Sequence, residues 1–586
     1  MARGILATYF YVKEIFMRIL KDSFRIILRS KSILISMILF YLFIIWAAIN
    51  PSNTRMLAAK PLGNAMTLSF YLFVALMFIT YEYFKKQYNN GVAETVRITS
   101  KGVKNYNYKC SFCIINIYAL LIYVSITIIV ICEFKSFNIS TPNNEYYYHI
   151  VASTFLNNFL IMELGIIIGI ALAKMKNRIN AYTIMTFFSL AVSSFPMKMA
   201  YMIDSSYFTD SGYDVAPGVI AYKIISWFYI IPRYDLVAMP REETGEILLP
   251  YRFFIIGLWM AVFVVVICFT RKHYKKYRVF SVILVILMFV GFKYPTAKME
   301  QRIDPYVNDN GADAEFKYFD ATRPKKKEEE ANYKITEYVM ELSMFVNLSM
   351  EVDMKVSESL EEYKMTLYHG YKVSEVTDQN GNKLGFSQDR DNLRIDNKEG
   401  YNIERIRMKY YGYSVDAYAN YQACYLPAYY AYYPRAGYKR VISEVSNEAI
   451  PDFVDKDTYF KVKVKSPSSY ISNLECNNGV FEGKADGFTL VKGFYKKKEL
   501  VNGNVLIYPY LNDDKGFDGK QTEEEIWEST FADSNEELLS DGRMNSMIFI
   551  DWCLGFERHE AYGDKQAFIH SGDASYYSDM SNIEWE

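Results

Sequence analysis

Residues 150–172 read Ile-Val-Ala-Ser-Thr-Phe-Leu-Asn-Asn-Phe-Leu-Ile-Met-Glu-Leu-Gly-Ile-Ile-Ile-Gly-Ile-Ala-Leu, an apolar run with a single formal charge, Glu163. A helix of about 20 apolar residues crosses the ~30 Å hydrocarbon core of a bilayer. Six more stretches of this kind lie at Ile33–Ile49, Ala65–Tyr81, Ser111–Cys132, Ala181–Met202, Phe253–Thr270 and Val279–Phe292. Nothing comparable follows. Buried helices of a soluble protein would explain one or two such runs, but not five before residue 205. The chain therefore divides into a polytopic α-helical membrane bundle of six plus one spans and a water-exposed C-terminal half.

Whole-chain averages conceal this division. The net charge of −1 and mean hydropathy of −0.04 sum two unlike halves and say nothing about partners; no nucleic-acid partner is expected. Among 52 tyrosines and 40 phenylalanines, Tyr41, Tyr71, Tyr81, Tyr83, Tyr251, Tyr277 and Tyr294 flank or line the spans, where amphipathic rings settle at the headgroup level. The first residues interleave Lys13, Glu14, Arg18, Lys21, Asp22, Arg25 and Arg29 with apolar ones, so no cleavable signal is expected. Lys and Arg are dense before the first span, between the second and third (Lys85, Lys86, Arg97, Lys101, Lys104, Lys109), between the fourth and fifth (Lys174, Lys176, Arg178) and between the sixth and seventh (Arg271 to Arg278). The alternate loops are poorer, and Arg252 counts among their scattered charges. The positive-inside bias places the N-terminus in the cytoplasm of a plasma-membrane protein and the C-terminal half outside. This holds if Val279–Phe292, only ~21 Å long at 1.5 Å per residue, crosses fully.

Residues 1–30 carry Ile5, Tyr9, Val12, Phe16, Ile19 and Ile26 at helical spacing between basic residues, the pattern of an amphipathic surface helix or, equally, of a simple anchor flank to the first span. The second loop runs from Tyr81-Glu82-Tyr83-Phe84-Lys85-Lys86 through Asn89-Asn90-Gly91 to Glu94-Thr95-Val96-Arg97-Ile98 and Ser100-Lys101-Gly102. It reads as a turn, a short polar helix and a second turn. Between Met202 and Phe253, Pro217 to Pro232 is apolar yet too interrupted to cross twice. In these three features residues 1–270 resemble the permease subunits of type-2-class ABC exporters, with an outer re-entrant hairpin at about 217–240 and a seventh helix appended at 271–293. The resemblance implies a partner ATPase subunit contacted through Glu94, Arg97 and Lys101, and a second permease copy or a related permease. The chain has no GxxxxGK[ST] loop to cradle ATP, so any nucleotide belongs to the partner and no cofactor to this chain. Within the fourth span, Glu163 follows Asn157 and Asn158 by little more than a turn. A charge at that depth costs at least ~2.5 kcal/mol and should face a polar cavity, a dimer partner or a helix-packing hydrogen bond.

A charged linker occupies 294–331. Strand signals then begin, with Leu348, Met350, Val352, Met354 and Val356 alternating with polar residues. Asn380-Gly381 marks a type I′ hairpin between Val373–Thr377 and Lys383–Phe386. A mainly antiparallel β-sandwich is expected over 332–510, followed by an acidic extension over 511–586 with one ordered element at Met547–Ile550. The series Leu367 to Val373, Asp378 to Leu384, Ile406 to Tyr413, Cys424 to Pro427, Ala431 to Pro434, Phe460 to Val464 and Ile471 to Leu474 resembles the N-terminal β domain of the zinc aminopeptidase family that includes membrane alanyl aminopeptidase. That family's catalytic HExxH helix is missing: the single His-Glu pair, His559-Glu560, has Gly563 where the second ligand should stand. The Gly-Ala-Met-Glu-Asn motif is also missing. The resemblance thus implies a non-catalytic domain that meets an exported peptide or protein, or pairs with a separate catalytic chain. A membrane-anchored binding protein or scaffold without transport is the competing class. The tyrosine-dense stretch 418–433 is read two ways: Tyr425, Tyr429 and Tyr432 as an outer contact surface, or as packing of the sandwich's second layer.

Overall fold

The structure, a computed structural model, describes residues 21, 24–25, 27–49, 60–89, 106–136, 144–193, 226–228, 230–231, 245, 248, 250–270, 277–293, 328–345, 347–414, 417, 419–441, 449–465, 469–500, 503–509, 545–550 and 560–570. Its helices are α1 (Lys31–Ile49), α2 (Lys60–Asn89), α3 (Tyr106–Ser136), α4 (Asn144–Thr154), a π-helical turn (Phe155–Phe159), α5 (Leu160–Leu172), α6 (Arg178–Val192), α7 (Pro250–Thr270) and α8 (Arg278–Lys293). Five segments are long and apolar enough to cross a membrane: α1, α2, α3, the continuous α4–α5 rod and α7. The expected span Ala181–Met202 is described only as far as Ser193, and Arg278–Phe292 is a shorter apolar helix.

Local chemistry sets the helix ends. The Asn177 side chain accepts from the Ile179 N–H at 2.9 Å and starts α6 just after the Lys174/Lys176 turn. Arg278 donates to the Cys268 and Phe269 carbonyls at 3.2 and 3.1 Å, satisfying the last turn of α7. Helices α2 and α5 run side by side in the same direction, with Gly165 over Phe73 and Gly169 over Met77. A Cβ on Gly165 would come within 2.7 Å of the Phe73 oxygen, and one on Gly169 within 2.6 Å of the Met77 oxygen. Two glycines one turn apart therefore let the backbones touch, the small-xxx-small contact of membrane helices. The outward faces of α1 and α8 are apolar, with Ile35, Leu39, Leu42, Trp46, Val279, Phe280, Ile286 and Leu287 exposed.

The C-terminal half is built from β-sheets. One sheet has seven strands in the order β12 (Glu475–Asn477), β13 (Val480–Lys484), β10 (Tyr459–Val464), β1 (Ile335–Met344), β2 (Leu348–Val356), β7 (Arg405–Gly412) and β4 (Tyr371–Asp378). It is antiparallel except where β1 meets β10. Facing it are a four-stranded sheet of β5 (Gly385–Asp389), β6 (Asn392–Asp396), β3 (Glu362–Thr366) and β9 (Arg435–Ala436), and a three-stranded sheet of β11 (Ile471–Ser472), β14 (Leu490–Lys492) and β8 (Cys424–Leu426). The period-two reading of β2 holds: Leu348, Met350, Val352, Met354 and Val356 all enter the core.

The Asn380-Gly381 turn differs from expectation. Only Gly381 has positive φ (+86°), whereas type I′ needs it at both central residues. Asp378 takes over the turn, accepting from the Asn380 and Asn382 N–H groups at 2.8 Å and from Asn382 Nδ2. Burial pushes the Asp378 carboxyl up, but these bonds outweigh it and hold it below its usual range. The chain then leaves the sheet. After a single bridge, Thr377 to Lys383, β5 pairs with β6 instead of β4.

The fold also continues beyond 510. Strands β15 (Tyr495–Glu499), β16 (Val505–Pro509), β17 (Ser546–Ile550), β18 (Glu560–Tyr562) and β19 (Gln566–His570) form a mixed sheet in the order β15-β16-β17-β19-β18. Strands β16, β17 and β19 run parallel. The stretch read as one ordered element in an acidic extension is thus the centre of a sheet. The buried Asp486 bolts it to the sandwich, accepting from Lys565 N at 2.7 Å and Gln566 Nε2 at 2.6 Å.

Candidate functional site: a polar centre on a π-helical turn

Phe155-Leu156-Asn157-Asn158-Phe159 forms the π-turn that joins α4 to α5. One extra residue per turn rotates the register locally, and such insertions often occur at functional sites. Here it brings three consecutive residues inside, with Leu156, Asn157 and Asn158 all fully buried. The two asparagines serve different neighbours. Asn157 Oδ1 accepts from Arg252 Nη2 of α7 at 2.6 Å, while its Nδ2 donates to Ser153 Oγ at 3.2 Å. Asn158 Oδ1 accepts from Ser69 Oγ of α2 at 3.2 Å. Arg252, itself buried, also donates to the Ile230 carbonyl at 3.3 Å. One turn earlier, Thr154 and Thr127 of α3 share a hydrogen bond of 3.0 Å.

The centre therefore gathers polar groups from α2, α3, α4, α7 and the segment before α7. Asn158 Nδ2 and Glu163 Oε1 are enclosed and make no hydrogen bond to the described residues. Leaving a buried polar group unsatisfied costs about 1–3 kcal/mol. Membrane helices retain such groups where they serve a pathway or an interface.

The same rod touches the β domain. Phe494 lies edge-on to Tyr146 and His149 of α4, with ring centroids 4.8 and 5.3 Å apart. Gln422 clamps the backbone of Leu248, just before α7: its Oε1 accepts from Leu248 N at 2.9 Å and its Nε2 donates to Leu248 O at 2.7 Å. Both elements that build the polar centre, the π-bearing rod and α7, thus carry a β-domain contact at their N-terminal ends. The basic residues Lys85, Lys174 and Arg178 lie at the opposite end of the bundle, where Lys85 donates to the Met175 carbonyl.

Of the residues expected to carry function, Asn157 and Asn158 form the centre, and Glu163 follows on α5. Glu94, Arg97 and Lys101 lie outside the described residues. Of the expected outer hairpin, residues 226–228, 230 and 231 are described. Trp259 Nε1 donates to Trp227 O at 2.6 Å, and the Phe228 ring stacks on Trp259 at 5.1 Å.

The surface reading of the tyrosines is corrected, because Tyr425, Tyr429 and Tyr432 are all buried. The hydroxyls of Tyr425 and Tyr429 meet at 3.1 Å, the Tyr432 hydroxyl donates to the Phe488 carbonyl, and Tyr429 packs edge-on to Phe568 at 4.8 Å. Each of these three phenols finds a partner inside, so Tyr425, Tyr429 and Tyr432 serve as second-layer core. Among the described residues no three His, Cys, Asp or Glu side chains gather as a metal site. His369 pairs with Asp391 at 3.0 Å.

The reading from sequence missed Arg252, which was counted as a loop charge, and Ser69. Two signals in the sequence pointed to the centre: an Asn-Asn pair inside an apolar run, and glycines at 165 and 169 on the rod beside it.

The sequence matches no family model and no curated protein. Among solved structures, it is similar in part to an M1 zinc metallopeptidase from Deinococcus radiodurans, at 13% identity and TM-score 0.27, over 41% of this chain and 62% of that one. It is also similar in part to native leukotriene A4 hydrolase from Saccharomyces cerevisiae, at 9% identity and TM-score 0.28, over 43% of each chain. The chain thus spans less than two thirds of either protein.

Proposed function

We propose that this chain is a multi-pass plasma-membrane protein, the permease subunit of an ABC-type exporter driven by a separate ATPase, with a non-catalytic β domain on its outer end. The observation that carries the reading is the centre of Arg252, Asn157, Asn158 and Ser69 enclosed by helices whose outer faces are apolar. An enclosed, hydrogen-bonded cation between such helices is the arrangement expected along a transport pathway. The placement of the β domain agrees with it, since it contacts the bundle at Tyr146, His149 and Leu248, the end away from Lys85 and Arg178. With the basic end in the cytoplasm, the β domain lies outside. There it meets an exported peptide or protein, or a separate catalytic chain. It lacks peptidase activity of its own: Glu560 of the single His-Glu pair belongs to strand β18, whereas HExxH chemistry needs both histidines on one helix face.

Purification of the full chain in mild detergent tests this. An ATPase subunit should accompany it, and Arg252→Gln should abolish transport-coupled ATP hydrolysis while the ATPase still co-purifies. If no ATPase accompanies the wild-type chain, the membrane-anchored binding or scaffold reading replaces the transporter.

A further inference from the structure

Four large apolar side chains after residue 328 stand strongly exposed among the described residues: Phe345 at 71%, Tyr411 at 54%, Tyr421 at 38% and Phe386 at 38%. Three of them share one end of the seven-stranded sheet. Phe345 tips the β1–β2 turn, beyond the Met344–Leu348 pair. Tyr411 lies opposite Ser349 at the same end. Tyr421 packs on Phe345 with ring centroids 5.7 Å apart, and its N–H donates to the Phe345 carbonyl at 2.9 Å. The other end of the sheet is charged: Arg405 binds Asp353 at 2.6 Å and Glu337 at 3.2 Å, and Arg407 binds Asp353 at 3.0 Å. Among the described residues of the two ends, the most exposed rings, Phe345, Tyr411 and Tyr421, gather at the first, while Tyr459 at the charged end is half-buried.

That end is tied to the bundle. Gln422, next to Tyr421, clamps Leu248, and its Nε2 also donates to the Tyr421 hydroxyl at 2.8 Å. The apolar segment of α7 starts at Arg252. Four residues of chain reach at most about 13 Å even when extended, so Tyr421 lies close to the level where α7 becomes apolar. The headgroup zone on each side of a bilayer is about 5–8 Å deep. Aromatic rings with a polar edge favour that zone.

We infer that the β domain rests on the phospholipid surface of the outer leaflet through Phe345, Tyr421 and Tyr411, next to its contact with the bundle. This deepens the membrane reading and rests on it. The three rings are a second support, which holds the sheet upright over the polar centre while Gln422 and Phe494 hold it to α7 and α4. Phe386, on the strand β5 that belongs to the opposite sheet, faces water.

The test uses the full chain in phosphatidylcholine vesicles with two photoactivatable phospholipids, one reactive at the glycerol level and one at the acyl-chain end. Adducts are mapped by mass spectrometry. The glycerol-level probe should label peptides carrying Phe345, Tyr411 and Tyr421 severalfold more than the peptide carrying Phe386. The acyl-end probe should label the outward face of α1 around Leu39 and Leu42. Phe345→Ser, at a surface position that folding tolerates, should lower labelling at Tyr421 severalfold. Labelling of α1 with no excess over Phe386 at the three rings overturns the inference and leaves the membrane reading intact. No labelling of α1 overturns both.

Discussion

Arg435 in the β domain and Arg252 in the bundle are both buried, and their surroundings differ. Arg435 is enclosed by carbonyls of Ala428, Tyr430 and Asp452, by the Asp452 carboxylate and by the Tyr433 ring 4.8 Å away. Around it the domain is apolar inside and charged outside, with Arg407–Asp353 and Lys409–Glu375 pairs on its outer face. Arg252 lies in a region with the reverse arrangement. Trp46, Leu42 and Ile286 face outward, while Ser69, Asn157 and Asn158 face in. In the β domain, then, the unusual residues are exposed apolar ones such as Phe345; in the bundle they are enclosed polar ones such as Asn157.

The largest effect should come from breaking the β-domain side of this comparison. Arg435→Met leaves the carbonyls of Ala428 and Tyr430 without their donor, and Asp452 with Lys439 as its remaining ion-pair partner. Removing one member of a buried pair costs about 3–5 kcal/mol. The β-sheet signal in circular dichroism should melt about 10 °C earlier, while the bundle's helical signal keeps its wild-type midpoint. Simultaneous loss of both signals would mean that the two regions unfold as one unit.

Next is the close approach of α2 and α5. Gly169→Val adds side-chain atoms where a Cβ already meets the Met77 oxygen at 2.6 Å and Tyr81 N at 3.0 Å. Overpacking of this kind costs about 1–3 kcal/mol. Here the helical signal should melt earlier in detergent, with the β signal unchanged. Gly381→Ala is the matched control, since open space surrounds it and only its φ of +86° resists a side chain.

The third test separates stability from function. Replacing both Ser69 and Asn158 with Ala and Leu removes a donor and its acceptor together, which costs little or even stabilises. The helical melting point should stay within a few degrees of wild type, while ATP hydrolysis coupled to transport is lost. If coupling survives, the polar centre is a packing feature and the transport reading weakens.

The β domain was legible where water enforced a period of two. Strand β2 followed its pattern because each polar residue faced solvent and each apolar one the core. The bundle gave its helices equally plainly, because lipid-length apolar runs leave few alternatives. What stayed hidden depended on tertiary neighbours. A π-turn adds one residue without a compositional signature, so Asn157-Asn158 stood out as polar but their separate partners did not. Arg252 resembled a loop charge because it stands only two residues after Pro250, and burial was decided by Asn157 and Ile230, far away in sequence. Tyr425, Tyr429 and Tyr432 look the same on a surface or in a core until their hydroxyl partners are known.

The smallest effect concerns the charged outer face, where Tyr459 of β10 donates its hydroxyl to the Glu482 carboxylate on neighbouring β13. That hydrogen bond, with smaller help from burial and from the charge of Glu482, pushes the phenol up to about 12. The folded state therefore holds this proton more tightly than the unfolded chain, whose phenol titrates near 10. The stabilisation is fully present below pH ~10 and fades as pH rises through about 12, because the unfolded state loses its proton first. Since the pair stands in water, little of that shift becomes stability, and the effect is best read as a titration. Carbon-13 labelling of tyrosine Cζ, with Tyr459→Phe to assign the resonance, should place its midpoint near 12. Glu482→Gln should return it toward 10 without moving either melting transition. A midpoint already near 10 in the wild-type chain would mean that the β10–β13 contact is loose, and that the outer face is less ordered than the core it covers.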